Sequence, residues 1–355
     1  MVEAIEYPFW AWTTFFTVVF IALAVDLGIV NRQSRIPKKK EVFIWSFVWV
    51  SLALTFNVFI YWMINSHFEN HNLALIKTQE YLTGYLIELS LSVDNLFVFL
   101  LIFSYFKVPK KYQHRVLFWG ILGALIMRMI MIFAGTGLVE KFHWTIYIFG
   151  IILIYSGLKM LAGEDDEFNP ENSFLISSIT RFIKVSKKYE GDRFFINKDG
   201  RWIGTLLFLV LIIVEISDLI FAIDSIPAIL GITTDRFIVY TSNIFAILGL
   251  RTFFFLLASV VDKFHYLKYG LTFILCFIGV KMLLPLFAEV LLWTDLTGHD
   301  LTELLKNFLD KKYNDKIITF SLSVVAITIL LSVVLSFIFP PAKAQSEEAD
   351  LKKKR

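Results

Sequence analysis

Nine stretches of this chain are each apolar for about twenty residues, the length that crosses the hydrocarbon core of a bilayer. They lie at roughly 9–30, 43–65, 82–104, 115–138, 144–162, 203–228, 236–258, 268–290 and 317–339. Of the 355 residues 57% are hydrophobic and 18% charged, whereas soluble domains carry about 25% charged residues. Such a chain cannot cover its apolar surface with polar groups in water. The expected fold class is an all-α polytopic membrane protein of about nine transmembrane helices, with the lipid bilayer as its first partner.

The basic residues then set an orientation. The segments Arg32–Lys40, Lys107–Arg115, 163–202, Asp262–Lys268 and the C-terminal tail hold 23 Lys and Arg, and the alternate set of connections holds seven. All nine stretches obey this alternation, so by the positive-inside rule the N-terminus is expected outside the cytoplasm and the C-terminus inside, in a plasma (inner) membrane. The first residues are acidic and precede no small-residue cleavage pattern, so no cleaved signal peptide is expected. Within 163–202, Leu175, Ile176, Ile179, Phe182 and Ile183 recur at helical spacing opposite Arg181, Lys184, Lys187 and Lys188. That pattern predicts an amphipathic helix on the inner membrane surface or packed under the bundle. The polar tail at 340–355 reads as disordered. The single Cys276 excludes an intrachain disulfide framework and a cysteine-rich metal site.

The sequence also repeats itself. Glu88-Leu-Ser-Leu-Ser-Val-Asp94-Asn95 parallels Asp218-Leu-Ile-Phe-Ala-Ile-Asp224-Ser225, the Gly123–Arg128 segment parallels Ala246–Arg251, and Gly157-Leu-Lys-Met-Leu161 parallels Gly279-Val-Lys-Met-Leu283. Each unit holds three apolar stretches, an odd number, so consecutive units cross the membrane in opposite senses. The expected organisation is two N-terminal helices (1–70), a first three-helix repeat (80–162), a cytoplasmic linker (163–202), and a second, inverted repeat (203–290). An extracytoplasmic loop with a last helix (291–339) and the tail (340–355) complete it. Two inverted three-helix units are a frequent architecture of secondary transporters, with sites near the midplane where the units meet. Lys159 falls near the inner end of its stretch and Lys281 in the outer half of its own, as inversion requires.

Glu88, Asp94, Glu215, Asp218 and Asp224 all lie inside apolar stretches. An ionisable group at the bilayer centre costs at least about 2.5–3.5 kcal/mol, so it points to function by default. Two readings follow: an ion or proton pathway, or ion pairs with Arg128, Arg251, Lys159 and Lys281 that lock helices together. These cations could also hold an empty site closed. Carboxylates six residues apart on a straight helix lie about 9 Å apart along the axis and about 120° apart around it, so one compact site needs a break, for which Pro227 is the candidate. In the other stretch only Ser90, Ser92 and Asn95 compete for backbone hydrogen bonds. Carboxylate, amide and hydroxyl oxygens (Ser92 and Ser225 as possible auxiliary ligands) suit hard cations such as Mg²⁺, Ca²⁺ or Mn²⁺. Asp26, near the inner end of the first stretch, reads as interfacial. Met127, Met129 and Met131 read as core filling.

At these residues the chain resembles the TerC family of integral membrane proteins, near its Alx-like branch, over nearly its whole length. The carriers are Glu88–Phe99, Glu215–Pro227, Ser242–Arg251 and Tyr189-Glu-Gly-Asp-Arg-Phe-Phe195. A departure is Gly204-Thr205-Leu206-Leu207, where the family commonly has Thr-Pro-Leu. The resemblance implies metal-ion homeostasis, chiefly manganese export, with an association with tellurium-compound resistance. It also implies that Glu88, Asp94, Asn95, Glu215, Asp218 and Asp224 belong to the transport site. The expected activity is divalent cation/proton antiport, with Mn²⁺ as cargo, no permanently bound cofactor, no enzymatic reaction and no nucleic-acid partner. The alternatives are a membrane scaffold or a tellurium-resistance component without direct cation transport.

Overall fold

The structure is a computed structural model that describes residues 6–26, 39–162, 186, 189–198, 201–258, 266–293 and 311–338. The expectations for an amphipathic linker helix, for the loop preceding the last helix and for the tail fall outside the described residues. Among the described residues ten helices and one hairpin follow in order: α1 (Phe9–Val25), α2 (Lys39–Phe68), α3 (His71–Tyr105), α4 (Lys110–Lys141), α5 (Thr145–Ala162), β1 (Phe195–Lys198), β2 (Arg201–Gly204), α6 (Leu206–Leu230), α7 (Arg236–Leu248), α8 (Leu250–Ala258), α9 (Leu267–Trp293) and α10 (Lys311–Ile338).

Five of these helices are long and apolar enough to cross a membrane: α2, α4, α6, α9 and α10. The pair α7–α8, bent by 42°, makes a sixth, and α1 and α5 are shorter apolar helices. Burial runs opposite to that of a soluble protein. Phe20, Phe47, Ile126, Ile151, Phe287 and Leu330 face outward, while Glu88, Arg128, Asp218 and Asn243 are buried. That distribution suits lipid, where apolar groups need no cover and polar ones must find partners inside.

Local signals fix the helix starts. The Asn70 side chain accepts from the Leu73 amide at 3.0 Å, Thr205 Oγ1 accepts from the Phe208 amide at 3.3 Å, and Asp235 Oδ1 accepts from the amides of Phe237 and Ile238. Each satisfies an N-terminal donor that has no intrahelical acceptor. Thr205, which stands just before the Leu206 that departs from the Thr-Pro-Leu pattern, caps α6. Pro8 and Pro109 precede α1 and α4, positions where a missing N–H costs nothing.

The helices pack in a reciprocal pattern: α3 lies on α7, α4 on α6, α3 on α6, and α5 on α9. The last crossing is close. A Cβ on Gly150 would lie 3.0 Å from the Gly279 carbonyl, one on Gly279 would lie 2.7 Å from the Gly150 carbonyl, and one on Gly157 would lie 3.2 Å from the Thr272 carbonyl. Small residues here let two backbones approach, which is how apolar helices gain packing energy in lipid. One buried cluster joins α1–α4 with α6–α8, and a second joins α3, α5, α6, α9 and α10 through Ile87, Leu153, Ile274, Ile278 and Val325.

The expected break at Pro227 is corrected. α6 is continuous through that proline, and α3 is continuous across Glu88–Asn95. Pro227 sits in the last turn of α6, where losing one backbone bond is tolerated and the Gly231 amide still reaches the Pro227 carbonyl at 2.9 Å. The interruption falls instead at Gly249, between α7 and α8. There Trp49 and Phe253 press onto the glycine: an added Cβ would lie 2.5 Å from the Phe253 ring and 3.2 Å from Trp49 Cβ.

Candidate ion-binding centre

Arg128 organises the interior. It projects from α4, is 1% exposed, and ion-pairs with Glu88 of α3, itself 0% exposed. The same guanidinium nitrogen donates to Asn243 Oδ1 of α7 at 3.2 Å, and the other terminal nitrogen donates to Asp218 Oδ1 of α6 at 3.3 Å. One side chain therefore ties four helices together. Ser92, one turn beyond Glu88, donates to Glu88 Oε1 at 3.3 Å. Two buried carboxylates share one guanidinium, a net formal charge of −1. Glu88 Oε2, Asp218 Oδ2, Arg128 Nε and the Ser90 and Ser225 hydroxyls are buried with no hydrogen-bond partner among the described residues. Buried acceptors left in this condition are unusual and costly.

The other expected ligands are distributed around this core. Glu215 precedes Asp218 by one turn of α6 and its half-buried carboxylate lies against α4 at Gly123, where a side-chain carbon would overlap it. Asp224 accepts a hydrogen bond from Ser156 of α5 at 2.7 Å and lies within electrostatic reach of Lys159. Because α6 is unbroken, Asp218 and Asp224 keep the spacing of a straight helix, about 9 Å along its axis. Asn95 is buried. The Asp94 side chain lies outside the described residues. Among the described residues no group of three or more His, Cys, Asp or Glu converges to hold a metal; Glu88 and Asp218 meet through Arg128 between them.

The second buried arginine is placed differently. Arg251, just past the Gly249 bend, pairs with Asp26 at 3.2 Å. Asp26, expected at an interface, lies at the end of α1 and serves as the counter-ion of Arg251. A third charged cluster was not foreseen. Lys77 Nζ lies 2.9 Å from Glu80 Oε2 and 3.1 Å from Asp235 Oδ2. Thr233 donates to Glu80 Oε2 and Tyr7 to Asp235 Oδ2, each at 2.7 Å. Burial works against the Lys77 charge, but the two carboxylates outweigh it and raise the pKa; burial raises that of Glu80 more than Lys77 lowers it.

Sequence reasoning missed Asn243, Ser156 and this cluster. Asn243 offered a signal, an amide within an apolar stretch. Ser156 offered none. The Tyr189–Phe195 motif turns out to dock the β-hairpin: Gly191 takes φ +65°, Tyr189 donates to the Phe106 carbonyl at 2.7 Å, and Asp192 pairs with Arg115.

Comparison with known proteins matches residues 74–344 to the Integral membrane protein TerC family. "Uncharacterized membrane protein STKORF319" of Myxococcus xanthus is 48% identical over 279 residues, covering 79% of this chain and 85% of that protein. "Putative membrane-bound redox modulator Alx" of Escherichia coli (strain K12) is 47% identical over 280 residues, 79% of this chain and 87% of the relative. An "Uncharacterized membrane protein" of Rickettsia bellii is 42% identical over 287 residues, 81% and 92% of the two chains. No solved structure matches. This chain is a multi-pass integral membrane protein belonging to the TerC family.

Proposed function

We propose that this protein is a secondary transporter that exports a hard divalent cation, Mn²⁺ foremost, by exchange for protons. The observation that carries the reading is the Glu88–Arg128–Asp218 constellation. It combines two buried carboxylates, a net negative charge and carboxylate oxygens with no partner of their own. A guanidinium tethered between the acids is a stand-in for cargo: it stabilises the empty centre and must yield when a divalent ion arrives. Glu215, one turn away, supplies a further carboxylate, and Asn243, Ser92, Asn95 and Ser225 supply neutral oxygens. Asp94 completes the set that the family resemblance implies. Asp224, held by Ser156 and near Lys159, stands apart on the same helix and suits a proton-carrying step coupled to the centre.

Support for two inverted units comes from the helix crossings. The Gly150–Gly279 approach and the Gly157–Thr272 approach exchange under the offset of 122 residues that relates Gly157–Leu161 to Gly279–Leu283. The packing of α3 on α7 likewise exchanges with that of α6 on α4. Rocking of one unit on the other would expose the centre to each side in turn. With the N-terminus outside and the C-terminus inside an inner membrane, export of a divalent ion opposes an inside-negative potential by roughly 4.6 kcal/mol per 100 mV, and each entering proton returns about 2.3. Proton coupling meets that demand; a passive pore does not.

The rival reading is a scaffold whose ion pairs only lock helices, and Arg128 bridging both acids favours it. The test is Mn²⁺ flux into proteoliposomes under an imposed pH gradient, with Asp218→Asn, Asp94→Asn and Asp224→Asn beside the unaltered chain. Saturable flux that the gradient accelerates and each substitution abolishes is expected. Folded protein that moves neither Mn²⁺, Mg²⁺ nor Ca²⁺ would leave the scaffold as the better account.

A further inference from the structure

α3 begins at His71, eleven residues before the apolar stretch it carries, and one of its faces carries a continuous row of polar and small residues. Lys77, Glu80, Gly84, Glu88, Ser92 and Asn95 follow one another at intervals of three or four, so they form a single face. The five with side chains are all buried. This face lies against the start of α7: Glu80 meets Thr233, a Cβ on Gly84 would lie 2.9 Å from Ser242 Oγ, and Glu88 shares Arg128 with Asn243. The stripe runs without interruption from the midplane centre to one end of the bundle.

At that end the stripe is closed. The Lys77, Glu80 and Asp235 side chains are 7%, 8% and 8% exposed, and three separate pieces of chain meet on them. Tyr7 comes from the segment before α1, Lys77 and Glu80 from α3, and Thr233 and Asp235 from the link between α6 and α7. Lys281 of α9 adds its field at Glu80. Asp235 also caps α7, so releasing it loosens the helix that carries Asn243. Glu80 lies two turns from Glu88, about 12 Å along the axis, so nothing larger than a few side chains separates the clamp from the centre.

We propose that the Lys77–Glu80–Asp235 clamp is the extracytoplasmic gate of the ion path, and that the path itself is the polar face of α3 where it meets α7. The proposal rests on the transport reading and its orientation. It makes Lys77 a gating residue: its ammonium holds together two carboxylates that would otherwise repel each other and part. Once parted they form an acidic mouth that suits a departing divalent cation.

The test reads access and not flux, so it can fail or succeed apart from the cargo assignment. In the full-length protein with Cys276→Ser, Ser242→Cys places a thiol beside Gly84, and a membrane-impermeant cationic methanethiosulfonate is added to right-side-out vesicles. The thiol should be protected with Lys77 present. Lys77→Met should speed its modification by about tenfold or more, since removing one partner of a buried pair leaves the other charges uncompensated. Lys77→Arg should keep it protected. Tyr7→Phe with Thr233→Val, which removes three hydrogen bonds (Tyr7 to Asp235, Thr233 to Glu80, and the Asp235 amide to Thr233) and no charge, should give a smaller increase of the same sign. An unchanged rate in both the Lys77→Met protein and the Tyr7→Phe/Thr233→Val protein overturns the gate. An increase confined to inverted vesicles overturns its extracytoplasmic placement. Faster labelling in a protein that carries no Mn²⁺ would keep the gate and reject manganese as its cargo.

Discussion

Replacing Arg128 with methionine separates a structural arginine from a competitor of the transported ion. The side chain is 1% exposed and pairs with two acids that are 0% and 5% exposed, so its removal strands both in the interior. Breaking a buried pair from one side costs about 3–5 kcal/mol, and Arg128→Met should lose stability of that order in the presence of a chelator. A divalent cation that binds the folded protein alone, at a hundred times its dissociation constant, returns about 2.7 kcal/mol. If Glu88 and Asp218 are its ligands, Mn²⁺ should therefore recover half or more of the loss. In the unaltered protein the same ion must first displace the guanidinium, so its stabilisation should be the smaller of the two. The assay is thermal unfolding in detergent, with chelator and across a Mn²⁺ series, for the unaltered chain, Arg128→Met, and Arg128→Met combined with Glu88→Gln and Asp218→Asn. The triple variant should be more stable than Arg128→Met in chelator and indifferent to Mn²⁺. Equal Mn²⁺ stabilisation of the unaltered and Arg128→Met proteins would refute competition at this centre.

Gly123→Ala puts a methyl group where the Glu215 carboxylate lies; transport should fall while melting changes by about 1 kcal/mol or less, because the flexible end of Glu215 can swing away. Gly279→Ala sets a methyl group 2.7 Å from the Gly150 carbonyl and from the Ile154 side chain. This contact is with rigid backbone, so unfolding in detergent should show a loss of about 1–3 kcal/mol, with Gly137→Ala, which meets nothing within 4 Å, as the silent control.

The constellation was legible because a charge in an apolar stretch has few physical explanations: Glu88, Asp218 and Arg128 stand out against Leu, Ile and Phe, and they do meet. What the sequence hides is which arginine takes the acids. Arg128 and Arg251 occupy matching places in the repeat, yet only a bend at Gly249, produced by the packing of Trp49 and Phe253, turns Arg251 toward Asp26. Such a bend depends on neighbours remote in sequence. Pro227 was a misleading sign for the opposite reason, since a proline's effect depends on its distance from the helix end. Lys77 and Glu80 lie outside the apolar stretch at 82–104 because hydropathy marks where lipid begins, whereas α3 starts at His71. The β-hairpin is hidden in the sequence because its strands are only four residues each and lie in a charged segment.

The joint at Gly249 also divides the molecule mechanically. α4 carries Arg128 on a continuous rod of 32 residues, so the guanidinium cannot leave its acids without side-chain rearrangement or movement of the whole rod. Arg251 sits on α8, beyond the joint, so a change of angle at Gly249 would move it without displacing Asn243 on α7. A displacement of Arg128 is thus tied to α4 as a whole, and one of Arg251 to the angle at Gly249 and to the packing of α8 on α2, α3 and α4.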